Sequence, residues 1–303
     1  MVAVPSWART TGRALRKRRK RLLSHGQLAT MTVRNRFGRA AVVGEGDVIV
    51  SLTTHGARVQ SVASTIESLA RGSVKPRRMV LWLDDESVFM RLPDSLHRLQ
   101  RRGLEVRLTE NLGPHTKYYP ALALALADGL PLVTADDDIL YPRSWLAALL
   151  RSGQDHPDDV SCYRASVVVV DEDGTLAPYD RWPRCRTTRP SLAHFATGVS
   201  GVFYPVAMLE QLAARGTEFL RWCPRADDIW LHWTALRAGI EVRQVSDLPR
   251  HFPYVPGTQV ETLMSLNVTA GGNDIRIGAL YDGSDVRLLA SARDSQLPGA
   301  PAG

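Results

Sequence analysis

The feature that most constrains this chain is an alternation. Between residues 47 and 152, short apolar runs take turns with stretches of helical period. Asp47 to Leu52 (DVIVSL), Met79 to Leu83 (MVLWL), Leu104 to Leu108 and Leu132 to Ala135 have the length and composition of buried strands. Between them, Val62, Ile66 and Leu69 recur on one helical face before Gly72. Pro93 to Gly103 has a proline near its start and a glycine past its end, and Tyr118 to Ala127 is rich in Ala and Leu. Strand and helix in this order predict an α/β fold with a mostly parallel, doubly wound central sheet flanked by helices. Such sheets bind ligands at the carboxyl ends of their strands. In this chain those ends are polar: Thr53 and Thr54, Asp84 and Asp85, and Asp136 to Asp138.

The last of these, in PLVTADDDILYP at Pro131 to Pro142, poses an electrostatic problem. Three adjacent carboxylates at the end of a buried strand repel one another unless a cation sits among them. A hard divalent ion such as Mn2+ or Mg2+, held by one or two carboxylates and a diphosphate, solves it. A solvated turn and helix cap before Trp145 solves it too, and the residues alone leave both readings open.

The second half is less regular. Val160 to Val170 reads as one long strand, Asp171 to Gly174 as a turn, and Asp180 to Pro190 as an aperiodic segment. Thr197 to Tyr204 reads as a glycine-broken strand and Val206 to Ala214 as a helix. Another helix opens at Asp227 or Asp228, carrying Ile229, Trp233 and Leu236 to Gly239, and Glu241 to Val245 is a last strand. The expected organisation is a flexible basic arm over residues 1–44, one domain over 45–285 in two halves divided at 152/153, and a flexible tail over 286–303.

Charge is uneven. Residues 1–44 carry eleven Arg or Lys and no acid, leaving 27 basic against 31 acidic residues elsewhere, a net of −4. The run RALRKRRKRLL at Arg13 to Leu23 suits an anionic membrane surface, at roughly 1 kcal/mol per basic residue. It equally suits nonspecific contact with phosphates, or solvation as a flexible arm, and gives no sign of a specific nucleic-acid partner. No apolar core of a secretory signal follows it. The longest apolar stretch, Tyr119 to Val133, is broken by Asp128, Gly129 and Pro131 and is too short to span a bilayer. Cys162, Cys185 and Cys223 lack metal or disulfide spacing and point to buried thiols in a reducing compartment. The expected location is cytoplasmic, with peripheral attachment to the inner face of the plasma membrane.

VIVSLTTHGARV at Val48 to Val59, LWLDDE at Leu81 to Glu86, LGPHTKYYPAL at Leu112 to Leu122, TADDDILYP, TGVSGVFYP at Thr197 to Pro205 and CPRADDIWL at Cys223 to Leu231 follow one another in an order that resembles a known family. The family is the nucleotide-sugar-dependent glycosyltransferases of the GT-A fold, in particular a bacterial branch acting on polysaccharides and the cell envelope. The resemblance covers roughly residues 47–280. It implies a metal-dependent enzyme that moves a sugar from a nucleotide-sugar donor, UDP ahead of GDP, to a glycan or lipid-linked glycan acceptor, with inversion.

It also implies roles for particular residues. Asp136 would face the ribose or sugar and join the metal, and Asp138 would ligate it. Asp137 would be an extra ligand or turn back toward the sheet, and would tolerate substitution best of the three. His251 resembles a late histidine that completes the metal shell. Asp84 would bond the nucleobase, Thr53 and Arg58 would contact base and phosphate, and Lys117 would meet the diphosphate as a point charge. Of Asp227 and Asp228, one would be the base that deprotonates the acceptor, with Asp228 the first choice, and the other an N-cap. Trp182, Trp222 and Trp230 are candidates to stack on acceptor sugars, and Gly198 and Gly201 to admit the acceptor or bend a strand.

Two rivals remain. A sugar-phosphate nucleotidylyltransferase shares the strand order and acidic ligands, although the loop after the first strand lacks a glycine-rich triphosphate cradle. A noncatalytic protein docked by its arm on membrane or nucleic acid would make the acidic rim incidental.

Overall fold

A computed structural model describes residues 23–258 and 272–294. The chain enters through α1 (residues 23–37), followed by β1 (Gly46–Thr53), α2 (Val62–Ala70), β2 (Pro76–Leu83), α3 (Glu86–Phe89), α4 (Asp94–Gln100), β3 (Leu104–Leu108), α5 (Tyr119–Asp128) and β4 (Leu132–Thr134). Next come α6 (Trp145–Asp155), β5 (Val160–Cys162), β6 (Ala165–Val167), β7 (His194–Ala196), β8 (Val202–Tyr204), α7 (Val206–Ala214), α8 (Phe219–Trp222), α9 (Asp227–Ala238) and β9 (Val242–Gln244). Helices Gly272–Leu280 and Gly283–Asp294 close the described chain.

Among the described residues, seven strands form one sheet in the order β3-β2-β1-β4-β8-β5-β9. The pairs β1/β2, β2/β3, β1/β4 and β5/β9 are parallel, and β8 alone runs antiparallel to its neighbours β4 and β5. The strands of the first half are apolar on both faces because helices cover both. Ile49, Val80 and Leu132 pack on one face with Leu122, Met208 and Trp230. Val50, Leu81 and Val133, one residue on, pack on the other with Ile66, Leu96 and Leu149. Successive side chains alternate in this way because the strand period is two. Each such buried aliphatic side chain contributes roughly 1.5–3 kcal/mol.

The structure departs from the sequence expectations in four places. The basic arm does not run loose to residue 44, because α1 docks on the domain. Met31 is fully buried against Leu140 and Val255. Asn35 donates to Glu67 Oε1 at 3.3 Å and to the Ser95 carbonyl at 3.0 Å, and accepts from Arg98 Nε at 2.9 Å. Residues 1–22, with most of the basic run, lie outside the described residues. At the other end, the boundary at 285 falls inside order. Helix Gly283–Asp294 continues past it, with Leu289 in the core and Asp285 taking Arg237 Nε at 2.6 Å and Trp233 Nε1 at 3.1 Å. Residues 295–303 lie outside the description.

The long strand expected over Val160 to Val170 is two strands in two sheets. After Cys162 the chain leaves the main ladder, the Gln244 side chain takes the Ala165 amide at 3.0 Å, and β6 pairs with β7. The stretch VSCYRASVVVV does not show such a bend, because its β-branched and apolar residues suit both segments. Likewise only Val202–Tyr204 of the glycine-broken strand is extended. The residues before it form a strained loop with Ser200 at φ 79° and Gly201 at φ 102°.

Candidate active site

The β1–β4 pairing brings the loops after both strands out together, Ser51 lying opposite Thr134. The acidic triplet is thereby sorted. Asp137 turns inward, where its carboxylate accepts from Thr54 Oγ1 at 2.7 Å and Arg58 Nη1 at 3.0 Å. Its carbonyl accepts from Thr65 Oγ1 of α2 at 2.9 Å. A carboxylate this buried and this fully bonded is costly to remove, so the expectation that Asp137 best tolerates substitution is corrected. Arg58 also stands 3.6 Å from Asp138 Oδ2. Burial, then Asp137 and Asp136, push the Asp138 carboxyl up to about 6.

Thr53, Arg58, Asp84, Lys117, Asp136 and Asp137 line one cleft of about 730 Å³. Thr53 ends β1 with its hydroxyl donating to the Trp82 carbonyl at 3.1 Å. Asp85, next to Asp84, is an N-cap that takes the Ser87 and Val88 amides at 2.8 and 3.2 Å.

A second cleft, of about 500 Å³, adjoins the first and shares Pro114, Lys117, Asp136 and Arg225 with it. Lys117 ends the 3-10 turn Gly113–Lys117. His115, stacked on Phe219 with ring centroids 4.1 Å apart, fixes that turn by bonding the Cys223 carbonyl at 2.7 Å and the Tyr118 hydroxyl at 2.9 Å. The Ser51 hydroxyl holds the Lys117 carbonyl at 2.7 Å. Lys117 Nζ then reaches Asp227 Oδ2 at 2.9 Å. Burial opposes the ammonium charge, but Asp227, Asp136 and Asp228 outweigh it and raise the lysine above its usual value.

One ammonium therefore faces three carboxylates. Asp228 accepts the Gly198 amide at 2.9 Å and keeps part of its surface open to the second cleft. Burial, then Asp227, push it up to about 7, against the pull of Lys117 and the Gly198 amide. Asp227 and Asp228 sit in the first turn of α9, and the N-cap is Ala226, so neither acid is the side-chain cap foreseen. The helix dipole favours their ionised forms, but for Asp228 burial and crowding win. Asp136 is raised by burial too, opposed by Lys117 and by the Ser200 amide at 3.3 Å.

The loop that supplies both amides has little freedom. A Cβ on Gly198 would stand 2.6 Å from Lys117 Nζ, and one on Gly201 would stand 2.5 Å from the Trp145 ring. Trp145 Nε1 donates to the Ser200 carbonyl at 2.7 Å, holding the left-handed turn.

Of the residues expected to hold a metal, Asp136 lines both clefts, whereas Asp138, two residues on, is buried and lines neither. His251 is exposed, with Nε2 3.4 Å from the Tyr254 hydroxyl. Its segment runs beside the acidic loop through bonds from Leu140 N to Pro253 O at 2.8 Å and from Val255 N to Asp138 O at 2.7 Å. Among the described residues, no three His, Cys, Asp or Glu side chains gather into a set able to hold a metal. The donor chemistry of these acids still suits a hard cation, since burial and then Asp137 and Asp136 disfavour the Asp138 carboxyl as an anion.

Among the tryptophans, Trp230 is fully buried, and Trp182 is almost so, its Nε1 donating to the Ala177 carbonyl at 2.9 Å on the lining of the second cleft. Trp222 is half-buried under the Arg221 guanidinium at 4.6 Å. Trp230 is core and cannot stack on a ligand. All three cysteines are buried. Several site residues escaped the sequence reading. Tyr141, whose hydroxyl holds the Asp136 amide at 2.8 Å, has no role in that reading, and Thr54 stands on the polar rim there without its bond to Asp137. Arg164 and Arg225, on the second cleft, carried no local signal.

No protein-family model matches the chain, and no curated protein matches it. Solved structures of similar shape include a mannosyltransferase, PcManGT, from Pyrobaculum calidifontis in complex with GDP-Man and Mn2+, at 14% identity and TM-score 0.45, covering 93% of this chain and 86% of that one. GalNAc-T7 with UDP, GalNAc and Mn2+ has 15% identity and TM-score 0.49, covering 83% and 52%. A CMP:2-keto-3-deoxy-manno-octonic acid synthetase complexed with CTP has 13% identity and TM-score 0.42, covering 78% and 98%. This chain thus spans about half of GalNAc-T7 and nearly all of the synthetase.

Proposed function

We propose that this chain is a glycosyltransferase of the GT-A type, moving a sugar from a nucleotide donor, UDP-linked ahead of GDP-linked, to a hydroxyl of a glycan or lipid-linked glycan with inversion. One observation carries the reading: two clefts of about 730 and 500 Å³ meet at Asp136 and Lys117, and a carboxylate with a near-neutral pKa, Asp228, stands on the second. The first cleft takes the donor. Asp84 accepts a nucleobase N–H, Thr53 and Arg58 flank base and phosphates, and Asp136 meets the ribose or sugar. The second takes the acceptor, against Trp182.

Asp138 with Asp136 would hold Mn2+ or Mg2+, the diphosphate completing the shell and His251 a candidate to join it. When bound, the ion acts as a Lewis acid on the leaving diphosphate. Asp228 takes the proton of the acceptor hydroxyl as its oxygen attacks the anomeric carbon from the face opposite the diphosphate. The anomeric C–O bond breaks, and the diphosphate leaves with the electron pair. A base near pKa 7 is matched to this task, being about half ionised at neutral pH and basic enough to accept a proton. Lys117 offsets charge where both substrates meet. The basic run at Arg13 to Leu23 would hold the chain peripherally on an anionic cytoplasmic membrane face by its charge.

The test is product analysis with a panel of nucleotide sugars, glycan acceptors and Mn2+. Release of nucleoside diphosphate with a glycosylated acceptor is expected. Release of pyrophosphate from a nucleoside triphosphate and a sugar phosphate would instead establish the nucleotidylyltransferase.

A further inference from the structure

Away from both clefts, a third cavity of about 400 Å³ is lined by Thr30 and Arg34 of α1, Ala70, Arg71, Gly72, Lys75 and Arg143. It has four basic side chains and no acid on its wall. Lys75 precedes β2 and Asp84 follows it, so roughly 25 Å of strand separates this cavity from the donor cleft.

The cations are not there to answer carboxylates. Among the described residues, Arg34 Nε stands 3.8 Å from Glu67 Oε2, a carboxylate already bonded by Arg102, with Nη2 at 3.1 Å from the same oxygen. Lys75 Nζ donates to the Ala41 carbonyl at 2.6 Å, and Arg71 Nη2 makes one long bond to the Tyr141 carbonyl at 3.4 Å. Arg34 Nε and Arg71 Nε are buried with no hydrogen-bond acceptor. Burial, then Arg34 and Arg143, push the Arg71 guanidinium below its usual value. Like charges held together with donors to spare call for an anion, and guanidinium forks match a phosphate in pairs.

We propose that Arg34, Arg71, Lys75 and Arg143 form a phosphate-binding site on the body of the protein, separate from the donor cleft and independent of the glycosyltransferase reading. The phosphate is either free or the headgroup of a lipid. Exposed Val33 and Phe37, on the same side of α1 as Thr30 and Arg34, would border it in the second case.

The full chain is compared with Arg143→Glu, an exposed position, and with Arg71→Gln, using thermal melts and circular dichroism to confirm that both variants fold. Inorganic phosphate is titrated by calorimetry, and vesicles of phosphatidylcholine with and without phosphatidic acid are titrated by cosedimentation. If the site takes free phosphate, each variant weakens phosphate binding about tenfold or more, the loss of a charge-assisted contact. If it takes a headgroup, phosphate binds poorly while binding to phosphatidic acid vesicles falls in both variants by a similar factor. Unchanged affinity for both probes in both variants overturns the proposal and leaves the four cations as ordinary surface charge at the end of α2.

Discussion

The two clefts meet at one lysine but are built by different means. The first is made by topology: parallel strands β1, β2 and β4 end on one rim, and Thr53 at the end of β1, Asp84 just past β2 and Asp136 two residues past β4 line it. The second is made by local strain and charge. A left-handed loop at Ser200 and Gly201 aims amides at Asp136 and Asp228, and three carboxylates crowd one ammonium. Burial shifts carboxyls on both sides: with Asp137 and Asp136 beside it, it raises Asp138 to about 6. On the second cleft burial and then Asp227 raise Asp228 to about 7, while Lys117 and the Gly198 amide of the strained loop pull it back and hold it in place.

The sharpest way to break this contrast is Asp228→Asn, which keeps the shape and removes the base. Turnover should fall by about 10²–10⁴, with donor KM little changed. In the wild type, kcat/KM should rise with pH and level off above about 7, as Asp228 loses its proton. Stability should move the other way. Because folding raises this carboxyl, the folded chain holds its proton longer than the unfolded one, and stability drops as pH climbs from the ordinary carboxylate range through about 7. Asp228→Asn should therefore melt higher than wild type in alkaline buffer and equally in acid, as calorimetry can show.

Gly198→Ala tests the strained loop. Its methyl would stand 2.6 Å from Lys117 Nζ and 3.1 Å from Asp228 Oδ1. Lysine must withdraw from the junction, and steady-state kinetics should show kcat lowered by about tenfold or more, as misplacement at a reacting centre does. Asp137→Ala tests the rim instead. It leaves Thr54 and Arg58 without their carboxylate, a cost of about 1–3 kcal/mol readable by urea denaturation. Asp84→Ala should be mildest, raising donor KM about tenfold at most with kcat unchanged, because a nucleobase contact is made equally in ground and transition states.

The same contrast governs what the sequence reveals. The strands of the first half and their polar ends are visible because length, β-branching and position along the chain suffice to find them. Leu104–Leu108 is a strand at the very residues the apolar run marks. The break at Tyr163 hides in a stretch whose residues suit either segment, and the glycines of TGVSG mark a break before Val202 without giving the left-handed turn at Ser200. The inward turn of Asp137 depends on Thr54 and Arg58, some eighty residues earlier. The docking of α1 rests on Met31 and Asn35 among charged neighbours, where the basic run dominates the reading.

Donor binding, measured by calorimetric titration of the wild type, Asp138→Ala and Asp228→Asn with nucleotide sugars and Mn2+, tests the division of labour between the clefts most directly. The account expects wild type and Asp228→Asn to bind donor alike and Asp138→Ala to lose metal-dependent binding. Donor binding by Asp138→Ala at wild-type strength, or its loss in Asp228→Asn, would contradict it.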